Sequence, residues 1–94
     1  MNKTSDVLLK FYVYTLLSLK DKKFYTGYTT DLKIRLTQHS KGLVKSTKLR
    51  RPFKLIHYEY FINEEDAMSR ERFLKSGFGR KQLKNALKRT LRNI

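Results

Sequence analysis

Apolar and polar positions fall into blocks along the chain, and the blocks predict the elements. Phe11 to Leu17 (FYVYTLL) is dense in β-branched and aromatic residues and reads as a strand. Ser18 to Lys23 is polar and reads as a turn, and Phe24 to Tyr28 (FYTGY) as a second strand, close enough for an antiparallel hairpin. Leu32 and Leu36 then recur at helical spacing. Thr30 or Asp31 is placed to cap that helix, and Gly42 to stop it. Residues 43–52 are polar and basic and close on Pro52, a loop. Phe53 to Ile62 (FKLIHYEYFI) alternates in part and reads as a third strand. Asn63 caps a second helix, with Glu64, Glu65 and Asp66 well placed against the dipole of its first turn, and the helix runs to about Lys75. Ser76 to Gly79 breaks it, and a basic third helix spans about Arg80 to Arg92. The order is ββαβαα. The expected fold class is α+β, a small three-stranded antiparallel sheet flanked by helices.

Length and composition narrow this. Ninety-four residues suffice for one small domain with a thin core. Residues 1–9 read as a lead-in and 10–94 as the domain, the basic C-terminal helix included. The chain has no Cys, which removes disulfides and cysteine-ligated zinc. Lys10 interrupts the apolar N-terminal stretch and no small-residue cleavage site follows, so no signal peptide is expected. Phe11 to Leu17 is far short of the roughly 20 residues that span a bilayer. The expected compartment is the cytoplasm, with no membrane partner, and a monomer is the default.

Charge changes the picture most. Twenty-two Lys and Arg against eight Asp and Glu give a formal net charge of +14. Such a field recruits polyanions. Residues 32–58 and 72–94 hold no acid, while half of all acids lie in 64–71. Two basic stretches around one acidic island suggest a polyanion surface with a reserved carboxylate. Lys45, Lys48, Arg50, Arg51, Arg80, Lys81 and Lys84 are the expected phosphate contacts.

Two helix faces carry unexpected polar groups. Leu32, Arg35, Leu36 and His39 fall at i, i+3, i+4 and i+7, so Arg35 and His39 share the apolar face. The plain alternative is a snorkelling Arg35 and a surface His39. On the second helix Glu71 lies amid Ala67, Met68 and Leu74. A half-buried carboxylate needs a cation, a metal or hydrogen bonds. The plain alternative there is an internal ion pair to Arg35 or Arg72.

The order of these residues resembles the GIY-YIG nuclease superfamily. Tyr12-Val13-Tyr14 matches the first family motif and Tyr25-Thr26-Gly27 the second. Gly27 to Arg35 follows the G-x-T-x-x-L-x-x-R run, His39 stands four residues after the Arg, and Glu71 matches the metal-binding glutamate. The match covers about residues 11–80. Arg51-Pro52-Phe53 and Leu74-Lys75-Ser76-Gly77 lie in stretches similar to those of short stand-alone bacterial members. The resemblance implies a catalytic set of Tyr14, Tyr25, Arg35, His39 and Glu71, with Gly27 and Thr29 shaping the site. It implies that Glu71 holds one divalent cation, Mg²⁺ or Mn²⁺, with no small-molecule cofactor. Arg35 would neutralise phosphate oxygens with its planar fork. The general base stays open among Tyr14, Tyr25 and His39, and so does a role for Asn85. The implied activity is metal-dependent endonuclease cleavage of nucleic acid, DNA ahead of RNA, structure-selective in repair or processing. A non-cutting nucleic-acid-binding module on the same fold is the alternative, and an RNA-binding or ribosome-associated protein a third class.

Overall fold

A computed structural model describes residues 9–94; residues 1–8, which make up almost all of the expected lead-in, lie outside the described residues. Strand β1 (Phe11–Ser18) pairs with β2 (Phe24–Thr29) on one side and β3 (Phe53–Phe61) on the other, both antiparallel, giving the order β2-β1-β3. β1 is buried from Val13 to Ser18 because it is central and covered on both faces, which is why its sequence is a near-continuous apolar run. Side chains alternate between the faces, so cross-strand partners share one. Val13 stands between Tyr28 and Glu59 on one face, and Tyr14 between Gly27 and Tyr58 on the other.

The Val13 face carries the core. Val13, Ala67, Leu74 and Leu83 are buried there, ringed by Phe11, Phe24, Tyr28, Phe61, Phe73 and Leu87. Helix α1 (Leu32–Ser40) belongs to the Tyr14 face, α2 (Glu64–Lys75) to the core face. Asp31 caps α1 by accepting from the Ile34 amide at 3.0 Å, and Asn63 caps α2 by accepting from the Asp66 amide at 3.0 Å. Past α1, Gly42 takes φ 75°, and its amide donates to the His39 carbonyl at 3.1 Å. Polar latches fix α2 against the sheet. Arg70 forks onto Glu59 of β3 at 3.0 Å, and the Tyr28 hydroxyl of β2 donates to Glu64 at 2.7 Å.

The C-terminal segment differs from the sequence reading in two places. The break after α2 is one residue, not four: Ser76 is extended, and its hydroxyl accepts from the Gly79 amide at 3.0 Å, so α3 (Gly77–Ala86) starts at once. Gly77 and Gly79 look like breakers, but a serine N-cap starts a helix through them. The basic helix then divides at Leu87, whose φ −103° and ψ 19° are not helical, leaving a short α4 (Lys88–Arg92). Residues 48–50 of the basic loop form one 3₁₀ turn. Among the described residues no helix is long and apolar enough to cross a membrane.

Candidate active site

Tyr14, at the centre of the central strand, is fully buried, and His39, in the last turn of α1, is 1% exposed. The Tyr14 hydroxyl meets His39 Nε2 at 2.7 Å. His39 Nδ1 meets Thr47 Oγ1 at 2.8 Å, and Thr47 Oγ1 lies 3.4 Å from the Val44 carbonyl. The network admits two arrangements: Nδ1–H donates to Thr47 while Nε2 accepts from Tyr14, or the Thr47 hydroxyl donates to Nδ1 while Nε2–H donates to Tyr14. In the first arrangement the Nε2 lone pair faces the Tyr14 O–H. In both arrangements the contacts link Tyr14 through His39 to Thr47, and burial disfavours the charged form of the imidazole.

Tyr25 completes an aromatic trio, its ring 6.4 Å from Tyr14 and 5.2 Å from His39 between centroids. Gly27 lies directly across from Tyr14, and a Cβ there would overlap the tyrosine hydroxyl and sit 2.5 Å from Cζ. The glycine is thus the space in which the phenol lies. Thr29 is buried and ties the strand to the next helix, its hydroxyl accepting from the Asp31 amide at 3.1 Å and donating to the Asp31 carbonyl at 3.2 Å.

Charges surround the trio. Burial pushes the Tyr14 hydroxyl far above the ordinary tyrosine value, and neighbouring Tyr25 adds to this. The positive charge of Arg35 pulls the other way, and the Glu71 carboxylate raises it further. Burial, then the Arg35 charge, holds His39 below the usual imidazole value. Glu71 also acts on Tyr28, which burial and its bond to Glu64 push up to about 12. Arg35 and Glu71, on α1 and α2, thus reach the same phenol electrostatically.

Glu71 is half-buried and pairs with Lys75 one turn on, Nζ to Oε2 3.0 Å, and not with Arg35 or Arg72. Among the described residues no three His, Cys, Asp or Glu gather as a metal cluster. A single carboxylate suits a hard cation that keeps most of its waters and shares substrate phosphates, as Mg²⁺ does. Glu71 fits that donor set once Lys75 lets go.

The expected phosphate-binding residues divide. Lys45, Lys48, Arg80 and Lys81 are exposed. Arg50 is engaged within the chain, donating to Asp21 at 2.7 Å and to the Lys23 and Phe24 carbonyls. That contact is the main reason Asp21 sits well below the usual carboxylate range. Arg51 donates to the Lys48 and Ser40 carbonyls. Lys84 lies over the Phe24 ring at 5.6 Å. Folding nonetheless joins the two basic stretches: Arg50, Arg80, Lys84 and Lys23 line one groove of about 600 Å³. Asn85 is exposed on α3, apart from the buried trio.

Thr47 is the site residue that pattern reading passes over. It sits in a loop read as basic and polar, with no helical or strand period. Its one mark is a small hydroxyl among cations, and burial alone reveals its part.

A three-stranded antiparallel sheet with a Tyr–His pair under a helix, an arginine one turn earlier and a glutamate on the next helix defines a class of domain. Residues 10–85 match the GIY-YIG catalytic domain, and the chain belongs to that family. It is 47% identical over 74 residues to a UPF0213 protein of Streptococcus pyogenes serotype M5 (strain Manfredo), covering 78% of this chain and 79% of that one. A UPF0213 protein of S. pyogenes serotype M3 (strain SSI-1) matches to the same extent. The solution NMR structure of a UPF0213 protein from Bacillus halodurans is similar at TM-score 0.54 and 38% identity, over 83% of this chain and 85% of that one.

Proposed function

We propose that the protein is a divalent-metal-dependent endonuclease acting on DNA, with Tyr14 as general base and His39 as the acceptor of its proton. The observation that carries the reading is the buried 2.7 Å contact between the Tyr14 hydroxyl and His39 Nε2, taken in the arrangement in which Nδ1–H donates to Thr47 and Nε2 accepts, with the Arg35 charge acting on the same phenol. A phenol is a poor base at neutral pH. A phenol that hands its own proton to an imidazole as it takes one from water is a competent one. The attacking oxygen then forms its bond to phosphorus, the bond to the leaving oxygen breaks, and the leaving oxygen takes a proton from solvent.

Arg35 neutralises the non-bridging oxygens in this scheme. When phosphate takes up the Arg35 charge, it also removes one cause of the low His39 basicity, so substrate binding readies the acceptor. Glu71 would hold the cation, which supplies Lewis-acid stabilisation of the leaving oxygen. Tyr25 packs the pair in place. Lys45, Lys48, Arg80 and Lys81 hold backbone phosphates, with repair or processing as the setting of the activity.

A second reading, a nucleic-acid-binding module that does not cut, draws on two observations. Tyr14 is fully covered, and Lys75 occupies the Glu71 carboxylate. Cleavage requires Arg35 to engage the phosphate and Lys75 to release Glu71. The test is cleavage of branched, nicked, flapped and single-stranded DNA with and without Mg²⁺ or Mn²⁺. The nuclease reading expects metal-dependent products that fall by about a hundredfold or more in Tyr14→Phe. A folded wild type that cuts none of these substrates with either metal leaves the binding module.

A further inference from the structure

The face of the sheet that carries Tyr14 is only partly covered. α1 and the basic loop lie over its β2 side, and toward β3 it is open. On that open side stand three tyrosines. Tyr12 is the direct cross-strand partner of Tyr60, and Tyr58 is the partner of Tyr14. The Tyr12 ring lies 5.7 Å from Tyr60 and 6.0 Å from Tyr58. Tyr60 is 49% exposed and Tyr58 52%. The solvent face of an antiparallel sheet ordinarily carries polar residues. The Tyr12 ring is tilted 51° to Tyr60 and 62° to Tyr58, so the three rings form an aromatic cluster that presents separate faces and hydroxyl edges to solvent.

We propose that Tyr12, Tyr58 and Tyr60 form a stacking platform for unpaired bases, so that the ligand is a nucleic acid with a single-stranded segment beside the bond at Tyr14. The inference rests on the nucleic-acid reading above and adds the substrate class. Charge selects the occupant. The chain carries +14, and the platform borders a groove of about 430 Å³ lined by Tyr12, Lys10, Lys33 and Leu36, with Asp31 the one acid among its lining residues. Lysines beside exposed rings are the pairing that single strands use, phosphates on the cations and bases on the rings. A duplex offers no free base faces, because its bases already stack on one another, so the platform discriminates by strand state and not by sequence. Continuity with the site fixes the position. Tyr58 is the cross-strand partner of Tyr14, so a strand laid along Tyr60 and Tyr58 lies one strand away from that buried ring.

The test compares binding of a labelled twelve-nucleotide oligo(dT) with binding of a twelve-base-pair duplex, without added metal, for wild type and Tyr58→Ala/Tyr60→Ala. The platform expects the variant to lose about tenfold or more in single-strand affinity and to change little on the duplex. Tyr58→Phe/Tyr60→Phe keeps the rings and retains wild-type affinity. Wild-type tyrosine fluorescence, unmasked because the chain has no Trp, is quenched by oligo(dT). Both rings are half-exposed, and equal melting temperatures confirm that the variants remain folded. Equal losses on single strand and duplex overturn the platform, as does unchanged oligo(dT) affinity. So does a variant that alters only self-association in sedimentation, which would make the open face a contact between copies of the chain. A wild type that binds duplex but not oligo(dT) overturns the platform and spares the parent reading; one that binds neither overturns both.

Discussion

Thr47 decides what His39 is able to do. In the proposed mechanism its hydroxyl turns to the Val44 carbonyl, accepts the Nδ1 proton and so presents Nε2 to Tyr14. Thr47→Val keeps the shape and removes that acceptor, leaving a buried N–H unpaired at a cost of about 1–3 kcal/mol. Cleavage should fall by about tenfold or more because the wrong tautomer becomes accessible. Thr47→Ser should restore it, and the shape of the pH–rate profile separates positioning from mere loss of fold. His39 itself makes stability depend on pH. Its folded pKa is depressed, so the unfolded chain takes up the proton first as pH falls. Its stabilising contribution is complete above the ordinary imidazole value of about 6.5 and is lost progressively below it. The melting temperature should drop from pH 8 to pH 5, and this part of the drop should vanish in His39→Gln. Glu71→Ala should abolish metal-dependent cleavage while leaving binding of DNA largely intact, since it removes a negative charge and no phosphate contact. A folded Glu71→Ala protein that cuts as fast as wild type would remove Glu71 from the metal site. The positions of Tyr14, Tyr25, Arg35, His39 and Glu71 could be marked from their order and helical spacing. Their bonding could not, because hydrogen-bond direction depends on partners brought from a distant loop.

Two glycines set how closely elements approach. A Cβ on Gly79 would overlap the Phe73 carbonyl oxygen and lie 2.7 Å from its carbon, so α3 packs against the end of α2 only because that position is bare. Backbone cannot step aside as a side-chain tip does. Gly79→Ala should therefore destabilise by about 2 kcal/mol or more, within the range for overpacking, read as a lower denaturation midpoint. Gly27→Ala displaces a catalytic candidate and not merely packing, since the collision is with the Tyr14 phenol. Activity should be lost even in protein that remains folded. The strands and the first two helices were readable because strand composition and caps are local: Asp31 and Asn63 each bond an amide three residues on. The third helix was misplaced at its start for a related reason. Two glycines in four residues weigh against a helix, yet Ser76 caps one and Gly79 is needed for contact with α2.

At the scale of the molecule, charge and topology act together. Lys45, Lys48, Arg80 and Lys81 lie on exposed surfaces of segments distant in sequence, and the groove between the hairpin turn and α3 unites the two acid-free stretches. Binding through such contacts is sequence-blind and releases counterions. The logarithm of the affinity should fall linearly with the logarithm of salt concentration, with a slope that shrinks by about 0.7–0.9 for each of these residues neutralised. Affinity indifferent to salt would place the binding surface elsewhere. The sequence by itself determined the strands, the caps, the net charge of +14 and the ordered motifs that mark the family, because each is written in neighbouring residues or in composition. Only the tertiary structure decided that Thr47 meets His39, that Lys75 holds Glu71, that Arg50 and Arg51 also bond within the chain, and that Tyr12, Tyr58 and Tyr60 share an open face. Most of these pairings join segments far apart in the chain, and even the Glu71–Lys75 pair was settled only by which way two side chains turned once the helices had packed.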